Sequence, residues 1–289
     1  MIQNSAVLVD LNISVWTVRK MDRKVSDEIG AVKNAKANAG NYHKKLLAGT
    51  ERLDDLQKLV SAIRIWHYEQ TLPWSDSGSR LLPMANFFDY KSKLSDYERQ
   101  FDEAVRDFLG EYSTLVSAAA FQLGDLFNSD DYPEAVKLLS KFRFHYVFSP
   151  VAERGDFRID AMESVKEELM GQYQSFYDNK LSQAMQDIWD RLRECLEKMS
   201  DKLSDADKPR VDKDGNSNYT QIFRDTLVTN AMELCNLMTK LNVTGDSKLE
   251  DVRQMLERSI VGLSADDLRS SDELRHQTKR KVDAILDMF

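Results

Sequence analysis

The sequence predicts a mainly α-helical protein built from long antiparallel helical hairpins, one of them a coiled-coil-like arm, with one small β-hairpin. Three observations predict this fold class. Apolar residues recur at steps of three and four over long stretches, and strand-like alternation is confined to one short region. The 289 residues include only 11 Gly and 5 Pro, whereas turn-rich all-β folds need more of both.

The first predicted unit is residues 1–84, a helical hairpin followed by a loop that contains Trp and Pro. A weak apolar stripe predicts one helix over 14–48, and a stronger stripe predicts a second helix over 50–70. Because the connection between them is very short, the two helices are expected to run antiparallel. The loop that follows reads LPWSDSGSRLLP over 72–83, a composition that is not helical throughout.

A middle segment, residues 85–159, is predicted to contain helices and the small β-hairpin. Ser95 and Glu98 have capping-box spacing ahead of an aromatic-rich helical stripe. In 142–149, FRFHYVFS, aromatic residues alternate with other residues, which is the two-residue period of a strand. A return strand is expected at 157–159, and because an isolated hairpin is marginal, its aromatic face should pack on helices.

The strongest helical pattern begins the third segment, residues 160–245. Apolar spacing holds over 160–203, and 44 helical residues span roughly 65 Å, so part of the helix is expected to protrude as an arm. A second helix, 219–241, is expected to return along it. Pairing within the chain is the first expectation for such an arm, with self-association into a homo-oligomer the second. Two shorter helices are predicted in the last segment, 246–289.

The charge balance argues against general binding to duplex DNA. The net charge is −8 and the sequence pI is about 5.2, whereas displacement of counterions from DNA needs clustered Lys and Arg. Two short basic patches are present, and acidic residues near both favour a solvated helix surface. If the patches lie together, an anionic partner becomes reasonable. They comprise Arg19, Lys20, Arg23 and Lys24, and Lys279, Arg280 and Lys281.

Known catalytic and metal-binding patterns are missing from the sequence. It contains no P-loop, dinucleotide-binding glycine motif, HExxH or GxSxG, and its four His are scattered without ligand spacing. We therefore predict no enzymatic activity, no cofactor and no metal. Cys195 and Cys235 form no CxxC pair and are expected to be reduced. With no apolar run near the roughly 20 residues of a membrane helix, the protein is expected in the cytosol.

Two regions carry the candidate partner-binding residues. In the loop 72–83, Trp74 and Arg80 have the residue types of an interaction anchor, although inward packing of Trp74 is favoured because a large aromatic in a loop usually packs inward. In the predicted β-hairpin, Arg143, Phe144 and Arg158 are suited to stacking and pairing with single-stranded nucleic acid. Packing of the same aromatic residues on helices is again the favoured interpretation.

Several segments resemble a family of phage and prophage proteins that is classed as a domain of unknown function. The segments are LPWSDSGSRLLP, FRFHYVFSPV, GDFRID and YQSFYDNKL, and the similarity runs over nearly the whole chain. The family has no assigned activity and no catalytic residues to transfer. Its genes often lie near those of AAA+ ATPases and proteins with von Willebrand A domains. The resemblance therefore implies an adaptor or remodelling partner in a phage-encoded assembly.

The functional prediction is a non-enzymatic, phage-encoded helical scaffold or adaptor in the host cytoplasm. It is expected to act through protein–protein interaction, and the resemblance implies an AAA+ ATPase as a partner. The alternatives are a single-stranded nucleic-acid-binding accessory protein and an acidic inhibitor of a host defence enzyme, with nucleic acid the less favoured partner. No membrane association is expected.

Overall fold

A computed structural model describes residues 4–36, 39–47, 50–151, 163–204, 210–211, 217–218 and 226–289. The helices are α1 (Arg23–Val32), α2 (Glu51–Gln70), α3 (Phe87–Leu123), α4 (Ala135–Leu139), α5 (Glu163–Ser204), α6 (Thr226–Leu241), α7 (Ser247–Ile260), α8 (Ala265–Ser270) and α9 (Asp272–Leu286). The strands are β1 (Ala6–Ser14), β2 (Arg19–Met21), β3 (His43–Lys45), β4 (Leu72–Pro73), β5 (Arg80–Pro83), β6 (Arg143–Pro150), β7 (Arg210–Val211) and β8 (Ser217–Asn218). The predicted mainly α fold class is confirmed. The structure also contains a small antiparallel sheet of four strands, which the sequence did not predict.

The described residues divide into two compact units. Unit 1 combines Met1–Asp10, Tyr68–Tyr90 and Phe148–Phe289, and unit 2 combines Leu11–His67 and Lys91–Val147. Each unit is assembled from separated stretches of chain. The four segments predicted from the sequence are, by contrast, continuous stretches.

The core of unit 1 is formed mainly by the C-terminal helices. The apolar stripe of α5 is fully buried at Ile188, Leu192 and Leu196, and α6, α7 and α9 contribute to the same core. The long helix predicted over 160–203 is thus present as α5, but the coiled-coil-like arm is not confirmed. The helix packs chiefly against α9 rather than α6, so its apolar stripe is covered within a multi-helix core.

The loop predicted over 72–83 forms a short hairpin in unit 1. Strand β4 pairs with β5, and the tight turn between them contains Gly78 in the left-handed region. Strand β5 also pairs with β1, from Pro83 opposite Ala6 to Arg80 opposite Val9. The partner strand lies more than 60 residues away in sequence, and the local turn composition gave no indication of this pairing.

The core of unit 2 is formed by α2 and α3, with residues from β1 and β6. Most of its buried side chains are aliphatic, and Phe101, Phe108 and Tyr112 add aromatic rings from one face of α3. Ser95 lies inside α3 rather than at a helix start, because the helix begins at Phe87 and runs without interruption to Leu123. The helix start predicted at Ser95 is therefore wrong, and one continuous helix occupies this range.

The predicted helix over 14–48 is wrong. Of the described residues in this range, only Arg23–Val32 are helical, and the short strands β2 and β3 lie before and after that helix. The stripe holds through Val25, Ile29 and Val32 inside α1, but Asn34, with a φ of 50°, begins the run NAKANAGN, whose small and turn-forming residues favour turns over a helix. The alternation AVLVDLNI over 6–13, just before the predicted helix, is the strand signal for β1.

The aromatic segment 142–149 is a strand, as predicted, and forms β6. Its neighbour in the strand order is β1, which is distant in sequence. The return strand predicted at 157–159 lies outside the described residues. Between α5 and α6 in the chain, β7 pairs with β8 in an antiparallel register.

Two further predictions concern the cysteines and membrane insertion. Cys195 and Cys235 are both free, Cys235 is fully buried, and burial raises its pKa to about 12. Within the described ranges, the structure contains no helix whose length and apolar character would let it cross a bilayer.

Candidate functional site

Residues 19–45 of unit 2 form a strand–helix–strand segment, which we call the basic segment. Its ends are anchored in the core: Val18 and Leu46 are 3% and 2% exposed, and the Leu46 amide donates to the Val18 carbonyl at 2.9 Å. Between these anchors, α1 has no buried residue. The segment therefore has a fixed base and an exposed body.

Local hydrogen bonds explain why α1 forms at this position. Asp22 is its N-cap and accepts from the Val25 amide at 3.2 Å, which satisfies one of the first free amides of the helix. The Asp22 amide donates to the Tyr42 carbonyl at 2.9 Å, and the Tyr42 amide donates to Ser26 Oγ at 2.9 Å. These bonds hold the start of α1 against the residue that precedes β3.

Val18 is the one strained position at the base. Its φ of 53° lies in the left-handed region, which is a genuine outlier for a β-branched residue. Such strain costs on the order of 1–3 kcal/mol and persists only where the surroundings enforce it. The buried packing of Val18 and its hydrogen bond to Leu46 supply that constraint.

The two strands of the basic segment place like charges opposite each other. Arg19 pairs with Lys45 and Lys20 pairs with Lys44 in the antiparallel register. Directly opposed like charges destabilise a strand pair. Because side chains alternate between the two faces of a strand, the first pair lies on one face and the second on the other.

The face that carries Lys20 and Lys44, which we call the inner face, is neutralised by Asp131. Its carboxylate lies 2.6 Å from Lys20 Nζ and 2.7 Å from Lys44 Nζ, and Lys44 also donates to the Leu126 carbonyl at 2.8 Å. Asp22 lies 3.5 Å from Lys44 Nζ. Lys44 and Asp131 are both buried, so this cluster holds β3 to the segment after α3.

The pKa shifts of the cluster follow from this geometry. Burial opposes ionisation of Asp131, but the two lysines outweigh it and hold its pKa below the usual value. For Lys44, burial opposes the charged form, and the nearby carboxylates of Asp131 and Asp22 outweigh it and raise its pKa. Both groups are thus ionised together over a wide pH range.

The opposite face, which carries Arg19 and Lys45 and which we call the outer face, has no such carboxylate among the described residues. Arg19, Met21, His43 and Lys45 are all exposed. Within the described part of the chain, neither Arg19 nor Lys45 has an ion-pair partner. This face presents two opposed cations to the surroundings.

The basic segment differs in charge from the rest of the chain. It contains eight Lys and Arg and three Asp and Glu, which gives it a net charge of +5. Because the whole chain carries −8, the remaining residues together carry −13. A cleft of about 720 Å³ lies beside α1 and is lined by its residues and by described residues of the connection to β3. Met21, Ile29, Ala31 and Tyr42 contribute to its walls.

The predicted site residues of the loop 72–83 are located in unit 1 and pack inward. Trp74 is 9% exposed and its ring meets Tyr177 edge-to-face, with 5.5 Å between ring centroids. Arg80 Nε donates to Thr71 Oγ1 at 2.7 Å, and its guanidinium lies over the Tyr68 ring at 4.7 Å. Burial and the nearby Arg191 charge lower the pKa of Arg80.

Arg191 of α5 shares the same region of unit 1. It donates to the carbonyls of Tyr68, Glu69 and Thr71 at 2.7–2.9 Å, and its Nη2 lies 2.6 Å from Asp187. These carbonyls belong to the last turn of α2 and the residue that follows it, which otherwise lack helical partners. The two arginines therefore cap the end of α2.

The predicted residues of the aromatic hairpin do not form one surface. Phe144 is half-buried and packs on Phe101, with 5.6 Å between ring centroids, whereas Arg143 is exposed on the opposite face of β6. Arg158 lies outside the described residues. Phe144 is thus used for packing within unit 2, and Phe148 of the same strand packs on Phe87 within unit 1.

The residues of the inner and outer faces were partly missed by sequence reasoning. No sequence pattern identifies Asp131 as a partner of these lysines, and Lys44 and Lys45 lie at the end of the predicted helix 14–48. The signal that was available is the run NAKANAGN over 34–41, whose small and turn-forming residues separate two basic clusters. The second basic patch, 279–281, belongs to unit 1.

Within the described ranges, no group of three or more His, Cys, Asp or Glu side chains is arranged to hold a metal ion. Comparisons with protein-family models, with curated proteins and with solved structures give no match to this chain.

Proposed function

We propose that this chain is a non-enzymatic helical adaptor that binds a partner protein through the basic segment. The observation that carries the proposal is the exposure of α1: none of its ten residues is buried, and Ile29 and Val32 are 47% and 78% exposed. Isolated helices this short are marginal in water and gain their stability from packing. A partner that covers the apolar side of α1 would supply that packing.

The resemblance to phage and prophage proteins supports the finer parts of the proposal. It favours action in the host cytoplasm, within a phage-encoded assembly, with an AAA+ ATPase as the partner. The exposed basic segment is suited to this role because it offers charge and apolar surface on one anchored element.

The test is a pull-down of the tagged protein from phage-infected cells, combined with lysine-specific crosslinking and mass spectrometry. We expect one dominant protein partner whose crosslinks map to Lys24, Lys33 and Lys45, all of which are exposed. Turnover of a nucleotide by the purified chain alone would contradict the non-enzymatic part of the proposal.

A variant pair makes the pull-down specific to α1. Ile29→Asp with Val32→Asp should abolish recovery of the partner, because carboxylates would replace the exposed apolar side chains. The matched control is Val261→Asp with Met288→Asp, which alters two side chains of unit 1 that are 62% and 56% exposed. Partner recovery that survives the first double variant, with the fold verified by circular dichroism, would show that α1 is not the binding element.

Single-stranded nucleic-acid binding is the second candidate, and the observation that favours it is the +5 charge of the basic segment. The aromatic residues of β6 do not support it, since Phe144 packs on α3. Recovery of nucleic acid without any protein partner would favour this candidate over the adaptor.

A further inference from the structure

The outer face of the basic segment carries a charge arrangement that the fold itself does not require. Arg19 and Lys45 are directly opposed, both are exposed, and neither has an ion-pair partner within the described ranges. The inner pair shows how the chain neutralises such an arrangement where it is structural, with Asp131 at 2.6 and 2.7 Å. An anionic group from outside the chain would relieve the outer repulsion in the same way.

Apolar surface adjoins these cations at Met21, which lies on the same strand face as Arg19 and also lines the cleft beside α1. The cleft next to α1 is lined by Met21, Ile29, Gly30, Ala31, Ala39 and Tyr42, so small side chains leave room for a ligand to approach the backbone. Val32, at the end of α1, is 78% exposed. A ligand that fits this surface must combine negative charge with apolar side chains.

This combination distinguishes a protein from a nucleic acid. A phosphodiester backbone would match the cations but would leave Ile29 and Val32 uncovered. Proteins that bind single strands use several aromatic side chains as stacking platforms, and apart from the exposed imidazole of His43 the only aromatic residue between 19 and 45 is Tyr42. It is half-buried and its backbone is bonded to Asp22 and Ser26.

We infer that the basic segment binds an acidic, amphipathic segment of its protein partner. Carboxylates of that segment pair with Arg19 and Lys45, and its apolar side chains enter the cleft beside α1. This inference rests on the proposed adaptor function and adds the chemical class of the partner surface. Charge complementarity supports it, because the basic segment, with its net charge of +5, attracts an acidic surface and repels a basic one.

The test measures fluorescence anisotropy of labelled 20-residue probes with the full-length protein. The principal probe is a synthetic peptide of Glu and Leu with Leu at helical spacing i, i+3, i+4 and i+7. One comparison peptide has each Leu replaced by Ser, a second has the same composition in scrambled order, and a 20-nucleotide oligo-dT is the nucleic-acid probe. We expect the principal peptide to bind at least about tenfold more tightly than the other three.

Protein variants locate the binding. Arg19→Ala with Lys45→Ala should weaken binding of the principal peptide by about three- to tenfold and reduce its salt dependence. Arg280→Ala with Lys281→Ala is the matched control, because it removes one exposed Arg and one exposed Lys from α9. That variant should bind like the unmodified protein.

Three results would overturn the inference. Equal binding of the Glu/Leu and Glu/Ser peptides would assign the interaction to charge alone. Tighter binding of oligo-dT, weakened by the Arg19 and Lys45 substitutions, would assign the face to nucleic acid. An equal effect of both double variants would show that the outer face is not the site. If the pull-down recovers a partner crosslinked to the basic segment while the peptides fail, the adaptor proposal stands and only the partner chemistry is wrong.

Discussion

Two pairs of cationic side chains, one in each unit, differ in what surrounds them. In unit 1, Arg80 and Arg191 direct their N–H groups to Thr71 Oγ1 and to carbonyls at the end of α2. In unit 2, Arg19 and Lys45 are opposed across two strands and exposed, without an ion-pair partner within the described ranges. The first pair completes the fold, and the second is available to a ligand.

This difference shows that the use of a cation's N–H groups within the fold, rather than its charge, separates the cations that stabilise the fold from those that stay exposed. Arg80 stands out in the sequence because it lies in a loop with Trp74, yet its donors are used within unit 1. The strand pair β2–β3 of the basic segment shows the same contrast between its inner and outer faces. Lys44 is buried against Asp131, whereas Lys45, the next residue, is exposed.

The largest effect is expected from Asp131→Ala. Removal of one partner from a buried ion pair leaves an uncompensated charge, here on Lys44, and lowers the free energy of unfolding by about 3–5 kcal/mol. Hydrogen exchange followed by mass spectrometry should locate the loss of protection in β2 and β3. A change below about 1 kcal/mol would show that Lys44 finds another partner and that the inner face is not a structural cluster.

The same cluster predicts a pH dependence of stability. The pKa of Asp131 is lowered by folding, so its contribution is present above the unfolded pKa of about 3.9 and is lost as pH falls through the lower folded pKa. The pKa of Lys44 is raised, so its contribution is present below about 10.4 and is lost as pH rises through the folded pKa. Urea denaturation from pH 3 to pH 11, compared with Asp131→Asn, should show a difference that shrinks at both ends of this range.

In unit 1, Arg191→Ala should lower the free energy of unfolding by about 2 kcal/mol, since hydrogen bonds from a charged donor contribute about 1.5–3 kcal/mol and the Thr71 carbonyl would lose one. Urea denaturation measures the change. Arg193→Ala, on the same helix, removes an exposed ion pair with Glu197 and should change stability by less than about 0.5 kcal/mol. If the two substitutions change the free energy of unfolding equally, the structural role proposed for Arg191 is wrong.

The sequence predicted the helical part of unit 1 well because its signal is local and repeated. The stripe that includes Ile188, Leu192 and Met199 holds one period over many turns, and α5 extends from Glu163 to Ser204, close to the predicted 160–203. The final helices were also located, although Ser271 divides the last one by capping α9. Which helix covers α5 depends on tertiary packing, and the pattern did not specify α9.

Unit 2 was predicted less well because its strands pair over long distances. Strand β1, which contributes Ile13 to the core of unit 2, is the neighbour of β6 in the sheet, and nothing in the local pattern of either stretch specifies the other. The inner-face cluster has the same origin: Lys44 and Asp131 are 87 residues apart and meet only in the folded chain. Sequence reasoning therefore identified Arg19 and Lys20 as basic but had no means to separate the face that is neutralised from the face that is not.

Arg19→Ala with Lys45→Ala is expected to have the smallest effect on stability. This double variant tests most directly whether the two exposed cations differ from Arg80 and Arg191. Removal of opposed like charges relieves a repulsion of a few tenths of a kcal/mol, and substitutions of exposed side chains otherwise stay within about 0.5 kcal/mol. Urea denaturation should therefore find the double variant as stable as the unmodified chain, or slightly more stable. Lys20→Ala is the contrasting substitution, because Lys20 contacts the buried carboxylate of Asp131 and its loss should be destabilising. If instead the outer-face variant is the less stable of the two, Arg19 and Lys45 hold the hairpin together, and they belong with Arg80 and Arg191 among the structural cations.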